Sequence, residues 1–167
     1  MILPEWIPEM VMVSGNWDYT LNLLYSIFKG DFKERPVKLE NKLVWWDRRI
    51  DQESGLEEGF WHLVSKDEIN TNGEKDRLFD PRRAERLPWC AAIIKHPEDA
   101  QVRAWESIDH KGKTSIYLWL YQFDYVVIFQ RRTTRKYGEI AFLKTAYYVE
   151  GKSSKNKLLK RYKHRIR

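Results

Sequence analysis

The sequence predicts an α+β fold: N-terminal helices packed on a four-stranded antiparallel β-meander, in one domain, closed by a basic C-terminal helix or tail. Three observations carry this. Residues 17–32 repeat apolar side chains at helical spacing, residues 102–149 alternate with a period of two, and the chain shows no linker or composition break between them. A length of 167 residues with 43% hydrophobic and 14% aromatic content supports one real core and excludes a disordered chain. The single unit divides into an N-terminal helix and hairpin region (1–59), a core (60–150) and a basic tail (151–167).

Residues 1–15, punctuated by Pro4, Pro8 and Gly15, read as an extended lead-in. Trp17, Leu21, Leu24, Tyr25, Phe28 and Phe32 then form one apolar stripe at a 3.6 period, with Asn16 at the N-cap and Asp18 in the first turn. Residues 37–45 alternate around Glu40-Asn41-Lys42 and predict a small hairpin. Residues 47–58 read as a loop, Phe60–Val64 as a short aromatic strand, and Ser65–Phe79 as a long polar loop containing Asn72-Gly73. Asp80-Pro81 starts a helix, Asp as N-cap and Pro at the first helical position, and Pro88 must kink or split it. Val102–Ile108, Thr114–Gln122, Tyr125–Arg132 and Glu139–Val149 are four strands joined by short breaks, hence sequential antiparallel neighbours. On the second, Ile116, Leu118 and Leu120 share one face and Tyr117, Trp119 and Tyr121 the other, so the sheet is covered on both sides. Leu158, Leu159, Tyr162 and Ile166 give the tail a helical stripe.

Composition excludes several classes. One cysteine, Cys90, rules out an internal disulfide framework and a multi-thiolate zinc site. No apolar run approaches the roughly 18 residues of a membrane span, and the N-terminus lacks a signal-peptide pattern, so the expectation is a cytoplasmic protein without a membrane partner. There is no glycine-rich phosphate loop, no nucleophile elbow and no pair of His at metal spacing; neither metal nor cofactor is expected. The charge is divided instead. Residues 1–100 hold 14 Lys and Arg against 19 Asp and Glu, residues 101–167 hold 16 against 5, and residues 151–167 carry eight cations and no acid. Such one-sidedness points to a polyanion such as RNA, or to a tail that only aids solubility.

The candidate site residues follow from chemistry. His62 titrates near neutrality and suits proton transfer, or packs on Trp61 as a structural ring. Arg82, Arg83 and Arg86 occupy the first turns of the Asp80-Pro81 helix, placed for phosphate or for pairing with Asp80 and Glu85. Arg131, Arg132, Arg135 and Lys136, with Thr133 and Thr134, crowd six residues between the last two strands, and with Lys152 and Lys155 they suit a nucleic-acid backbone. Thr145 and Tyr147 share one side of the last strand.

The strand Phe60-Trp61-His62-Leu63, the Arg-rich helix after it and a meander ending in Lys144-Thr145-Ala146-Tyr147-Tyr148 together resemble the phage-associated branch of the barnase–EndoU–colicin–RelE-like ribonucleases. The resemblance spans about residues 60–150. It implies a small, metal-independent, toxin-like endoribonuclease in which the RNA 2′-hydroxyl is the nucleophile. His62 would be the acid or base, Arg83 or Arg86 would hold phosphate, and Thr145 and Tyr147 would lie by the scissile bond, with Tyr147 or a protonated His as general acid. His110 is the one candidate for a second His. A cytoplasmic nuclease of this kind implies a neutralising antitoxin or immunity partner. The alternative is a non-catalytic nucleic-acid-binding or mobile-element accessory interaction protein, which needs nothing from His62.

Overall fold

The computed structural model describes residues 1–167. Helix α1 (Trp17–Phe28) begins where Asn16 accepts a hydrogen bond from the Tyr19 amide at 3.0 Å, and it runs on into a π-helical turn, Lys29–Lys33, that keeps Phe32 buried. A hairpin of β1 (Lys38–Leu39) and β2 (Lys42–Trp45) follows. After a loop come α2 (Glu58–Val64), the hairpin β3 (Ser65–Ile69) and β4 (Lys75–Phe79), and two short helices, α3 (Pro81–Glu85) and α4 (Leu87–Ile94). Asp80 caps α3 by accepting from the amides of Arg82 and Arg83, and the break at Arg86, two residues before Pro88, separates the helices. The chain ends in β5 (Val102–Ile108), β6 (Thr114–Leu120), β7 (Tyr125–Thr134), β8 (Gly138–Tyr148) and the basic helix α5 (Gly151–Lys163).

The main sheet has the order β1-β2-β8-β7-β6-β5. Strands β5 to β8 are consecutive antiparallel neighbours, but the sheet is six-stranded rather than four-stranded, because β2 adds to β8 in parallel through Leu43–Ile140, Val44–Ala141 and Trp45–Phe142. Nothing local announces that pairing, since it joins segments almost a hundred residues apart. The sheet also curls: Leu39 of β1 and Ala104 and Glu106 of β5, from opposite edges, line one cleft.

Three further expectations are corrected. Phe60–Val64 is helix, not strand, and His62 lies on it. Phe60, Trp61, Leu63 and Val64 are all buried, and a run buried all round shows no period to separate the two forms. Ser65–Phe79 is a hairpin, not a loop. After Ser65 nearly all its residues are exposed, so it lacks apolar alternation; its turn is set by Asn70, whose side chain accepts from the amides of Asn72 and Glu74, and by Gly73 at φ +78°. The run from Thr114 ends at Leu120, and Tyr121–Phe123 is a single 3-10 turn.

The sheet has two covered faces. The inner one, with Val44, Ile116, Leu118, Phe129, Ala141 and Leu143, forms the larger core with the helices. Helix α4, rather than α1, lies on β6 and β7, and α1 packs outside it. On the outer face Trp105, Tyr117, Trp119 and Val126 lie under α5, whose Leu158 is 2% exposed. The basic segment is therefore an amphipathic helix with a structural underside.

Candidate functional site

The C-terminal end of α2 is tied to α3 and β8 through one guanidinium. Arg83 Nη1 donates to the carbonyls of Ser65 at 2.7 Å and His62 at 3.3 Å and to Thr145 Oγ1 at 3.4 Å, while Thr145 Oγ1 donates to the His62 carbonyl at 3.2 Å. Arg83 also pairs with Asp80 at 3.3 Å and lies 5.3 Å from the centre of the Tyr147 ring. Burial depresses its pKa, and Asp80 opposes that shift. The structure thus gathers Arg83, Thr145 and Tyr147, but around the backbone of His62. Its Nη1 is spent on helix-end carbonyls rather than left for a phosphate.

The His62 ring lies elsewhere. It faces a groove of about 1150 Å³ between the 49–54 loop and the β3–β4 hairpin, walled on its apolar side by Trp17, Trp61 and Phe79. The Trp61 indole donates to Ser54 Oγ at 2.9 Å, which donates to Asp51 at 2.7 Å. The buried Nδ1 of His62 has no hydrogen-bond partner. Burial pushes its pKa below the ordinary histidine value; Asp47, Glu58 and Asp67 pull upward and Arg77 adds to the depression. Burial thus favours the neutral ring, the form a general base needs. The groove, however, does not favour a phosphate. Its three cations are each ion-paired, Arg49 with Asp47, Lys75 with Asp67, and Arg77 with Glu58 and Asp51, while Glu53 and Asp76 have no cationic partner.

The other named residues scatter. Arg86 pairs with Glu85 at 2.7 Å and lies over the Tyr148 ring at 4.4 Å, facing the N-terminal segment rather than the groove. Exposed Arg82 approaches Glu150 at 3.6 Å. His110 sits exposed in the β5–β6 turn, outside the groove. Arg131 is held between Glu106 at 2.5 Å and Glu139 at 2.7 Å, and Glu106 takes Arg167 as well. Lys155 pairs with Asp124 at 3.1 Å. Arg132 is exposed; its Nε donates to Gln130 at 2.8 Å, and its guanidinium lies 3.7 Å above the Phe142 ring. No group of three or more His, Cys, Asp or Glu side chains is placed to hold a metal ion.

Several surface cations near the C-terminus stay unpaired. Lys152, Lys157, Lys160 and Lys163 on α5, and Arg135 and Lys136 at the β7–β8 turn, are exposed and have no ion-pair partner. The tail's excess charge marked this surface in the sequence. The ring of charges around His62 (Asp47, Glu58, Arg77) was not legible there, because Arg77 reaches the groove only through the unforeseen hairpin.

No protein-family model matches the chain, and neither a curated protein nor a solved structure matches it. No helix is long and apolar enough to cross a membrane.

Proposed function

We propose that this protein binds nucleic acid, engaging the phosphate backbone through the outward surface of α5 and the β7–β8 turn. The observation that supports it is a group of exposed cations without an acidic partner, the six just named with Arg132 and Arg161 beside them, set against a His62 groove whose cations are all paired. Unpaired surface ammonium groups gain from phosphate contact by releasing condensed counterions, whereas a cation already held by a carboxylate must first give that contact up. Helix α5 spans about 20 Å over its 13 residues, enough for three or four phosphates of an extended strand, and the β7–β8 turn adds two cations. The test is fluorescence anisotropy of a labelled 12-nucleotide RNA with the full chain, repeated with Lys157, Lys160 and Lys163 all changed to Gln. The variant binds much more weakly; equal affinity overturns the proposal.

One observation favours a second reading, metal-independent RNA cleavage: His62 lines the groove, and burial favours its neutral form. In that reading His62 takes the 2′-hydroxyl proton and Arg77, not Arg83, is the nearby cation. Incubating labelled RNA with the protein in EDTA tests it. Cleavage to 2′,3′-cyclic ends, lost in His62→Ala, supports cleavage, and intact RNA with both proteins removes it. A neutralising partner belongs to this reading alone.

A further inference from the structure

The outer sheet face is only half covered. Beneath α5 lie Trp105, Tyr117 and Trp119; beyond its footprint the next cross-strand row is Trp45 on β2, Phe142 on β8 and Gln130 on β7, none of which belongs to the cluster under the helix. Their inward neighbours Val44, Ala141 and Phe129 fill the main core, so alternation fixes the direction of this row. Two half-buried aromatic rings therefore stand on a sheet face without a helix over them.

Planar cations cover them instead. The Arg48 guanidinium lies 3.5 Å above the Trp45 ring and that of Arg132 lies 3.7 Å above Phe142. Tyr137, 45% exposed at the β7–β8 turn, stands 5.3 Å from Trp45 with Lys136 beside it. Neither guanidinium has a carboxylate partner: Arg48 donates only to the Trp46 carbonyl and Arg132 only to Gln130. The row carries no acid, because Glu106 and Glu139 pair with Arg131 on the opposite face. At its far end the Ser107 hydroxyl has no hydrogen-bond partner. On the helix side Arg161 reaches Tyr117 Oη at 3.4 Å, and Lys157 lies one turn back on the same flank.

Aromatic rings and guanidinium planes on an open sheet, bordered by free cations, match the two faces of an unpaired nucleotide: a base that stacks and a phosphate that pairs. A duplex hides its base faces and offers this surface only phosphates. We infer that this open half of the outer face is a stacking platform for single-stranded nucleic acid. The inference rests on the proposed nucleic-acid binding and names its substrate class. Bases lie against Tyr137 and the Arg48 and Arg132 planes that cover Trp45 and Phe142, while α5 and the β7–β8 turn take the backbone.

The experiment titrates the full chain with a 12-nucleotide single-stranded RNA, the DNA of the same sequence and a 12-base-pair duplex, reading anisotropy and tryptophan emission at fixed salt. Three proteins are compared: wild type, Tyr137→Ala at an exposed turn position, and Arg132→Lys, which keeps the charge and loses the plane. The wild type prefers both single strands to the duplex, and its tryptophan emission is quenched. Each variant loses roughly five- to 150-fold for single strands, the range of one stacked base, with little change for duplex and an unchanged salt slope. Equal affinity for duplex and single strand, with neither variant affected, overturns the platform while leaving backbone binding intact. No binding to any of the three overturns both.

Discussion

Salt is the sharpest lever on a surface of unpaired cations. Six side chains, Lys152, Lys157, Lys160, Lys163, Arg135 and Lys136, carry charge that no acid neutralises. At about 0.7 counterions released per single-strand phosphate, six contacts give a slope of log K against log salt near −4. Affinity then falls about 300-fold between roughly 50 and 200 mM salt. Changing Lys157, Lys160 and Lys163 to Gln leaves three contacts, a slope near −2 and a fall of about 20-fold over the same interval. These side chains are exposed, so the variant keeps its fold, which far-ultraviolet circular dichroism confirms. Arg131→Gln serves as control: Arg131 is already held by Glu106 and Glu139, and its loss leaves the slope near −4. Anisotropy at four salt concentrations measures all three proteins. A flat response in the wild type, or a triple variant with the wild-type slope, refutes the reasoning.

Other consequences concern the framework. Arg83→Ala strands the carbonyls of His62 and Ser65 and lowers stability by about 2–3 kcal/mol in urea unfolding, with nucleic-acid affinity unchanged; a stable variant that binds poorly contradicts its structural role. Gly59→Ala places a Cβ 2.9 Å from Trp46 Cε3 and 3.0 Å from the Asp47 carbonyl, against backbone that has little room to yield, and costs about 1–3 kcal/mol by the same assay; wild-type stability contradicts the packing. Leu158→Ala, under α5, costs about 2–4 kcal/mol and weakens binding by loosening the helix, and an unaffected midpoint contradicts the packing of α5 on the sheet. The depressed pKa of His62 makes the unfolded chain the better proton acceptor. Its contribution is therefore complete above about pH 6.5 and is lost as pH falls from there through the folded-state pKa, with a slope of at most about 1.4 kcal/mol per pH unit. His62→Gln flattens that decline below about pH 6.5, and an identical profile in both proteins contradicts the assignment.

How far the sequence reached can be read element by element. Asn16, Asp80 and Pro88 act locally, through caps and a missing amide, and each does what its chemistry dictates. The alternation of Ile116, Leu118 and Leu120 against Tyr117 and Trp119 separates two faces because each face meets a different layer. The failures share a cause, a missing contrast. Residues 60–64 are buried nearly all round and residues 66–78 are exposed, so neither run shows a period, and the parallel β2–β8 pair has no local signature. The site was half legible. Arg83 and Thr145 do meet at His62, but at its carbonyl, and a sequence does not say which end of a residue a partner will touch. Arg131 and Lys155 read as free cations until Glu106 and Asp124 were brought beside them.

Two surfaces are candidates for the proposed nucleic-acid binding, the outer sheet face with α5 and the His62 groove, and amide chemical-shift mapping separates them most directly. A ¹⁵N-labelled full chain titrated with a single-stranded 12-mer shows shifts concentrated in residues 42–48, 130–144 and 152–163, with the Trp45 indole moving and residues 49–79 still. Shifts confined to the groove, at His62, Trp61 and Arg77, or no shifts at all, contradict the account.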